Sequence, residues 1–246
     1  MTDAINLLSD RYRGLETGEL LEELIHAEFP RRVALVSSFG ADAAILLHMI
    51  STIAPATPVL FLDTKKLFGE TLTYRDQLVK QLGLTDVRSI SPLPENEAGL
   101  DPNGVLWASE PNRCCYFRKV LPLQRALEGF DAWITGRKHY QNEDRANLPI
   151  FEMADGRVKI NPLLGWRPDQ VAAYYKAHSL PPHPLVARGY PSIGCIPCTS
   201  PVTADEDPRA GRWRGQAKTE CGIHLSADGQ ITRSVTVQAP RTMGCG

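Results

Sequence analysis

Cysteine is missing from the first 113 residues of this 246-residue chain, and all six, Cys114, Cys115, Cys195, Cys198, Cys221 and Cys245, fall after that point. Long hydrophobic runs are missing too: Ala43 to Ile50 is interrupted by His48 and is far too short to cross a bilayer. No charge of one sign prevails, since 27 basic and 28 acidic side chains leave a net charge of -1, which argues against a bulk electrostatic partner such as duplex nucleic acid. The opening MTDAINLLSDRYR carries two aspartates and lacks the basic start, apolar middle and small-residue cleavage site of a secretory signal. Together these absences predict a cytoplasmic protein with no membrane segment and no nucleic-acid partner. In a reducing compartment structural disulfides are excluded, leaving metal binding, catalysis or plain burial as reasons for the cysteines.

What is present reads as a globular α/β chain, with 43% hydrophobic and 22% charged residues. The length suits one domain with an appendage; we expect a main body over residues 1–200 and a flexible C-terminal tail over 201–246. Val33 to Ser37, Val59 to Asp63, Val87 to Ile90 and Ala132 to Thr135 are short, β-rich runs. They alternate with helical stretches at Leu15 to Phe29, Ala41 to Ile53, Glu70 to Leu82 and Arg113 to Leu127, the pattern of a doubly wound, mostly parallel sheet. Ser91 to Pro111 reads as a long loop, Phe151 to Asn161 as a hairpin turning at Asp155-Gly156, and Pro168 as the start of a helix. From about Pro181 the chain is rich in Pro, Gly, Arg and Cys, with little periodicity.

Two features carry chemistry. Ser37-Ser38-Phe39-Gly40-Ala41-Asp42 lies at a strand end that opens a helix, where free backbone N–H groups face an anion. It matches neither the dinucleotide fingerprint nor the P-loop, and Leu62-Asp63-Thr64 at the next strand end adds polar groups for a base or ribose. The cysteines are the second feature. Cys195 and Cys198 have the CxxC spacing of metal sites, and the adjacent Cys114-Cys115 suits a multi-iron cluster better than one tetrahedral zinc, with burial as two small hydrophobes as the bland alternative. Cys221 differs: Lys218 precedes it and His224 follows it by three residues, and cationic neighbours raise a thiol's nucleophilic fraction. Cys245 reads as an incidental tail thiol. Basic side chains collect near the cysteines, four of them from Arg113 to Arg125 with no acid among them, and Arg209, Arg212, Arg214 and Lys218 further on.

The motifs SSFGAD, FLDT, CCxxRK, ITG with Gln141 and RANLP, GYPSIGCIPC, DPRAGRWRG and ECGIH occur in that order over nearly the whole chain. In this it resembles the assimilatory adenylyl-sulfate reductases, relatives of the phosphoadenylyl-sulfate reductases. The resemblance implies an adenine-nucleotide α-hydrolase-like sheet and the reduction of adenylyl sulfate to sulfite and AMP, in assimilatory sulfate reduction and cysteine biosynthesis. Reduced thioredoxin, or glutaredoxin, would be the partner. It assigns Cys221 as the nucleophile that forms a thiosulfonate, and Cys114, Cys115, Cys195 and Cys198 as ligands of a 4Fe-4S cluster. Ser37, Ser38, Phe39, Gly40, Asp42, Leu62, Asp63, Thr64, Lys119, Gly136, Arg145, Arg209, Arg212, Arg214 and His224 are then the expected substrate-binding residues.

The same resemblance implies that a chain with the four ligand cysteines favours adenylyl sulfate over its 3'-phosphorylated form. Phosphoadenylyl-sulfate or dual-substrate reduction is the alternative reading, ATP-dependent sulfur transfer a more distant one, and a zinc-stabilised binding module the non-enzymatic one. Three positions depart from the family's pattern: Lys65 follows LDT in place of glycine, and the GxRRxQ loop has Lys138 and His139 where arginines are usual. Oligomeric state is left open, a homo-oligomer included.

Overall fold

The computed structural model describes residues 2–216 and 218–224. Helices α1 (Thr2–Arg11) and α2 (Thr17–Glu23) lead into strand β1 (Val33–Ser37), followed by α3 (Ala44–Ile53), β2 (Val59–Leu62), α4 (Gly69–Leu82) and β3 (Val87–Ile90). The chain continues through α5 (Pro94–Leu100), α6 (Leu106–Ser109), α7 (Pro111–Cys115) and α8 (Leu121–Ala126) to β4 (Ala132–Ile134). Then come β5 (Phe151–Ala154), β6 (Arg157–Ile160) and α9 (Pro168–Ala177).

The strands form one six-stranded sheet in the order β3-β2-β1-β4-β6-β5, parallel except for β5. Period-two alternation sends Val33 and Leu35 to one face, against α2, α3, α4 and α9, and Ala34 and Val36 to the other, against α8. Burial on both faces explains why β1, β2 and β4 read as unbroken apolar runs. At the hairpin, Ala154 pairs with Arg157, and the two turn residues Asp155 and Gly156 take φ of 51° and 75°, the turn that suits the twist of the flanking strands and favours Asp-Gly.

The order reverses between β1 and β4, so their carboxyl ends flank the crevice in which open α/β sheets bind ligands. Three expectations need correction here. A helix, α1, precedes the one expected at Leu15–Phe29, which itself is α2 closed by a π-turn over Leu24–Glu28. The expected loop over 91–111 contains α5 and α6; Asp101 caps the start of α6 by accepting the Leu106 N–H at 2.9 Å. The expected helix over 113–127 is continuous but widens into a π-turn at Tyr116–Val120, where the Leu121 N–H bonds back to Tyr116. Pro122 has no N–H to continue the α pattern, which accounts for the bulge, and the bulge carries Arg118 and Lys119.

Candidate active site

The loop after β1 is held from several sides. Phe39 takes a left-handed φ of 48° and buries its ring edge-on to Phe61, 5.4 Å between centroids. Its N–H donates to Ser37 Oγ at 3.2 Å, and the Tyr175 hydroxyl of α9 donates to the Ala41 carbonyl at 2.7 Å. A Cβ on Gly40 would stand 3.3 Å from Ser38 Oγ and 3.6 Å from the Ile193 carbonyl, so the loop backbone lies close to the cysteine-bearing segment. The loop after β4 is tied in by Lys138, fully buried, whose Nζ donates to Asp42 at 3.0 Å and to the Gly136 carbonyl at 3.3 Å.

Between these loops lies a cavity of about 210 Å³ whose wall includes Ser37, Ser38, Gly40, Asp42, Leu62 and Gly136. The basic side chains Lys119, Arg145, Arg209 and Arg212 and the thiol-bearing Cys221 complete it. Of the other expected contacts, Phe39 is in the core, and Asp63 accepts from the Lys65 ammonium at 3.2 Å. Thr64 Oγ1 is 3.2 Å from Cys195 Sγ, and Arg214 turns outward to Glu206 at 2.7 Å. The side chain of His224 and all of Cys245 lie outside the described residues.

Cys114, Cys115, Cys195 and Cys198 line a second, smaller cavity. Lys119, Arg212 and Trp213 line both cavities and so form the wall between them. The five described cysteines are free thiols, and among the described residues no three Cys, His or acidic side chains are disposed around a single metal ion. Besides Arg137 Nη2 and Lys159 Nζ, which lie against Glu152, three buried N–H donors lack a protein acceptor among the described residues: Arg118 Nε, Arg212 Nε and Trp213 Nε1. All three belong to residues of the four-thiol cavity.

Cys221 is buried. Hydrogen bonding with Cys115 pulls its pKa well down against the opposing effect of burial, helped by Lys119, the Ile223 backbone and Arg212, while Cys115 is pushed up. Burial disfavours the charge on Lys119, but the sulfur atoms of Cys195, Cys221 and Cys115 outweigh it and hold the ammonium protonated. Burial pushes the Cys114 thiol up to about 11.

Residues of the nucleotide-side cavity given no role from the sequence include Arg137, Trp213 and Glu220. Arg137 is buried against Glu152 and donates to Asn161 Oδ1 at 2.9 Å; burial brings its pKa down to about 9. Burial opposes ionisation of Glu220, yet hydrogen bonding and charge from Arg145, then Arg209, bring its pKa down to about 2. The signal for Glu220 was its place beside Cys221 and that for Trp213 its place in DPRAGRWRG; Arg137 had none beyond residue type.

Residues 32–201 match the phosphoadenosine phosphosulfate reductase domain. The chain is 52% identical over 215 residues to the adenosine 5'-phosphosulfate reductase of Mesorhizobium japonicum, covering 87% of this chain and 85% of that one. It is 53% identical over 193 residues to the enzyme of that name from Chelativorans, covering 78% and 79%. Among solved structures, a phosphoadenylyl-sulfate reductase from Candida auris superposes with a TM-score of 0.69 at 28% identity, over 82% of this chain and 98% of that one. Yeast FAD synthetase, at 14% identity and a TM-score of 0.54 over 81% and 66%, shares the fold alone. The sheet is thus of the adenine-nucleotide α-hydrolase-like kind, and the chain belongs to the phosphoadenosine phosphosulfate reductase family, as an oxidoreductase acting on a sulfur group.

Proposed function

We propose that the protein reduces adenylyl sulfate to sulfite and AMP with reduced thioredoxin, supplying sulfite for cysteine biosynthesis in the cytoplasm. The observation that carries this reading is Cys221 in the wall of the same cavity as the Ser37–Asp42 loop and the cations Lys119, Arg145, Arg209 and Arg212. The Cys221 thiolate attacks the sulfur of adenylyl sulfate; the S–O bond to phosphate breaks, and AMP leaves with the bonding pair. A sulfonate remains on Cys221 as a thiosulfonate. A thioredoxin thiolate then attacks Cys221 Sγ and sulfite leaves with the S–S pair, so two electrons pass from the thioredoxin dithiol to sulfur once its second thiol resolves the mixed disulfide. The cations neutralise the approach of an anionic thiolate to an anionic sulfate.

The four-thiol cavity fits a 4Fe-4S cluster on the chemistry of its donors. Four thiols surround one space, and three N–H groups without acceptors belong to residues of its wall. Cys114, Cys115, Cys195 and Cys198 would hold the cluster, which when bound supplies an electrostatic environment for Lys119 and the substrate.

Cys221→Ser tests the mechanism: sulfite formation should vanish while iron content and brown colour persist, and a fully active variant overturns it. Turnover of adenylyl sulfate should exceed that of its 3'-phosphorylated form; strong preference for the latter overturns the substrate assignment.

A further inference from the structure

Residues 218–221 belong to no helix or strand, and side chains supply much of their attachment. Thr219 Oγ1 donates to Asp144 at 2.6 Å, and the Lys218 ammonium reaches Asn112. The densest attachment is at Glu220, whose side chain is 2% exposed. Its Oε1 accepts from Arg145 Nε at 2.5 Å, from Asn142 Nδ2 at 2.9 Å and from Arg209 at 3.5 Å. Its Oε2 accepts from Arg145 Nη2 at 2.9 Å and from the Cys221 N–H at 3.2 Å. Arg209 also donates to the Thr219 carbonyl at 3.0 Å. One carboxylate therefore joins the backbone of the thiol-bearing residue to two guanidinium groups of the cavity wall.

We propose that Glu220 is a positioning residue: its paired carboxylate seats Cys221 over the substrate cavity, and without it the segment lifts and the thiol leaves the cavity. The catalytic part of this inference rests on Cys221 being the nucleophile. A two-pronged guanidinium–carboxylate pair fixes direction as well as distance, and a buried carboxylate is stable only while its partners remain. The seat can thus be lost through one change of charge while the sheet is untouched.

The test is the alkylation rate of Cys221 by iodoacetamide in the iron-loaded protein, read by mass spectrometry of the peptide bearing it. Glu220→Gln should alkylate about tenfold faster or more than wild type. Its kcat for adenylyl sulfate should fall about tenfold, and because Arg145 and Arg209 also line the cavity, the alkylation rate and not KM decides the test. Asn142→Asp is nearly isosteric, retains an acceptor for the Arg145 N–H that Asn142 Oδ1 now bonds at 3.1 Å, and sets a second carboxylate against Glu220. It should also speed alkylation, and it carries the test alone if Glu220→Gln fails to fold or to hold iron. Alkylation within about twofold of wild type in the folded variants overturns the proposal. Because alkylation needs no turnover, an active Cys221→Ser would overturn the nucleophile assignment and leave the seating result intact.

Discussion

The guanidinium of Arg212 lies over the backbone of Gly194, in the space a side chain there would occupy: a Cβ on Gly194 would stand 2.7 Å from Arg212 Cζ and 3.2 Å from its Nε. The obstacle is the far end of a flexible side chain, so Gly194→Ala should fold and melt close to wild type. Arg212 would have to move out of the wall shared by the two cavities, and kcat/KM for adenylyl sulfate should fall about tenfold to a hundredfold, as expected for a displaced charge at a reacting centre. Unchanged kcat/KM would remove Arg212 from the machinery.

Gly211 presents the opposite case. A Cβ there would collide with the backbone carbonyl of Ser200 and approach Val202 Cγ1 to 3.1 Å, and the Gly211 carbonyl accepts the Ser200 N–H at 2.9 Å. Backbone cannot yield as a side chain does, so Gly211→Ala should cost about 2 kcal/mol or more of stability. A urea midpoint equal to that of wild type would contradict this.

Acid should destabilise the protein through His183. Its Nδ1 accepts the Leu185 N–H at 3.1 Å, and its Nε2 lies 3.1 Å from Thr71 Oγ1, so the buried ring is held neutral, with Nε2–H donating to the hydroxyl. Burial brings its pKa from 6.5 down to about 4. Between those values the unfolded chain binds the extra proton, so stability rises with pH across that window and is lost as pH falls from about 6.5 towards 4, by at most about 3 kcal/mol. Urea titrations at pH 7 and 4.5 should show a smaller pH dependence for His183→Gln than for wild type; equal slopes would exclude His183 as the source.

Arg118 connects three elements. It donates to the Thr64 carbonyl at 2.9 Å, to Glu97 at 2.6 Å and to Asp101 at 2.9 Å, and the Asp101 side chain is 2% exposed. Arg118→Met would leave Asp101 buried without its charge partner, at about 3–5 kcal/mol. Limited proteolysis should then cut within residues 94–109 at native temperature; resistance equal to wild type would show that α5 and α6 are held by other contacts.

Strands β1, β2 and β4 were legible because burial on both faces leaves a local record, a short apolar run ending at a turn. The hairpin was legible for the same kind of reason, since Asp155-Gly156 is the local chemistry of its turn. Helices α5 and α6 were not: PENEAGL and LWAS have little amphipathic pattern, and α5 meets the rest of the fold through Leu100, packed near Phe117, and through the ion pair of Glu97 with the distant Arg118. The π-turn at Tyr116–Val120 had one local sign, Pro122, which by itself also permits an ordinary helix start.

In the site, residue type and order determined the thiols, the anion-facing loop and an excess of cations near them. Charge on a side chain does not say whom it will meet. Arg145 and Arg214 look alike in the sequence, yet Arg145 is buried against Glu220 beside the cavity while Arg214 faces outward to Glu206. Glu220 reads locally as one more polar residue; its low pKa depends on guanidinium groups 75 and 11 residues away along the chain. By itself the sequence determined the strands, the hairpin and the reactive groups, because those follow from periodicity, turn chemistry and side-chain chemistry. Which cations share the cavity with Cys221, and which carboxylate seats it, was decided only in the tertiary structure, because burial and ion pairing depend on neighbours that the chain brings together from far apart.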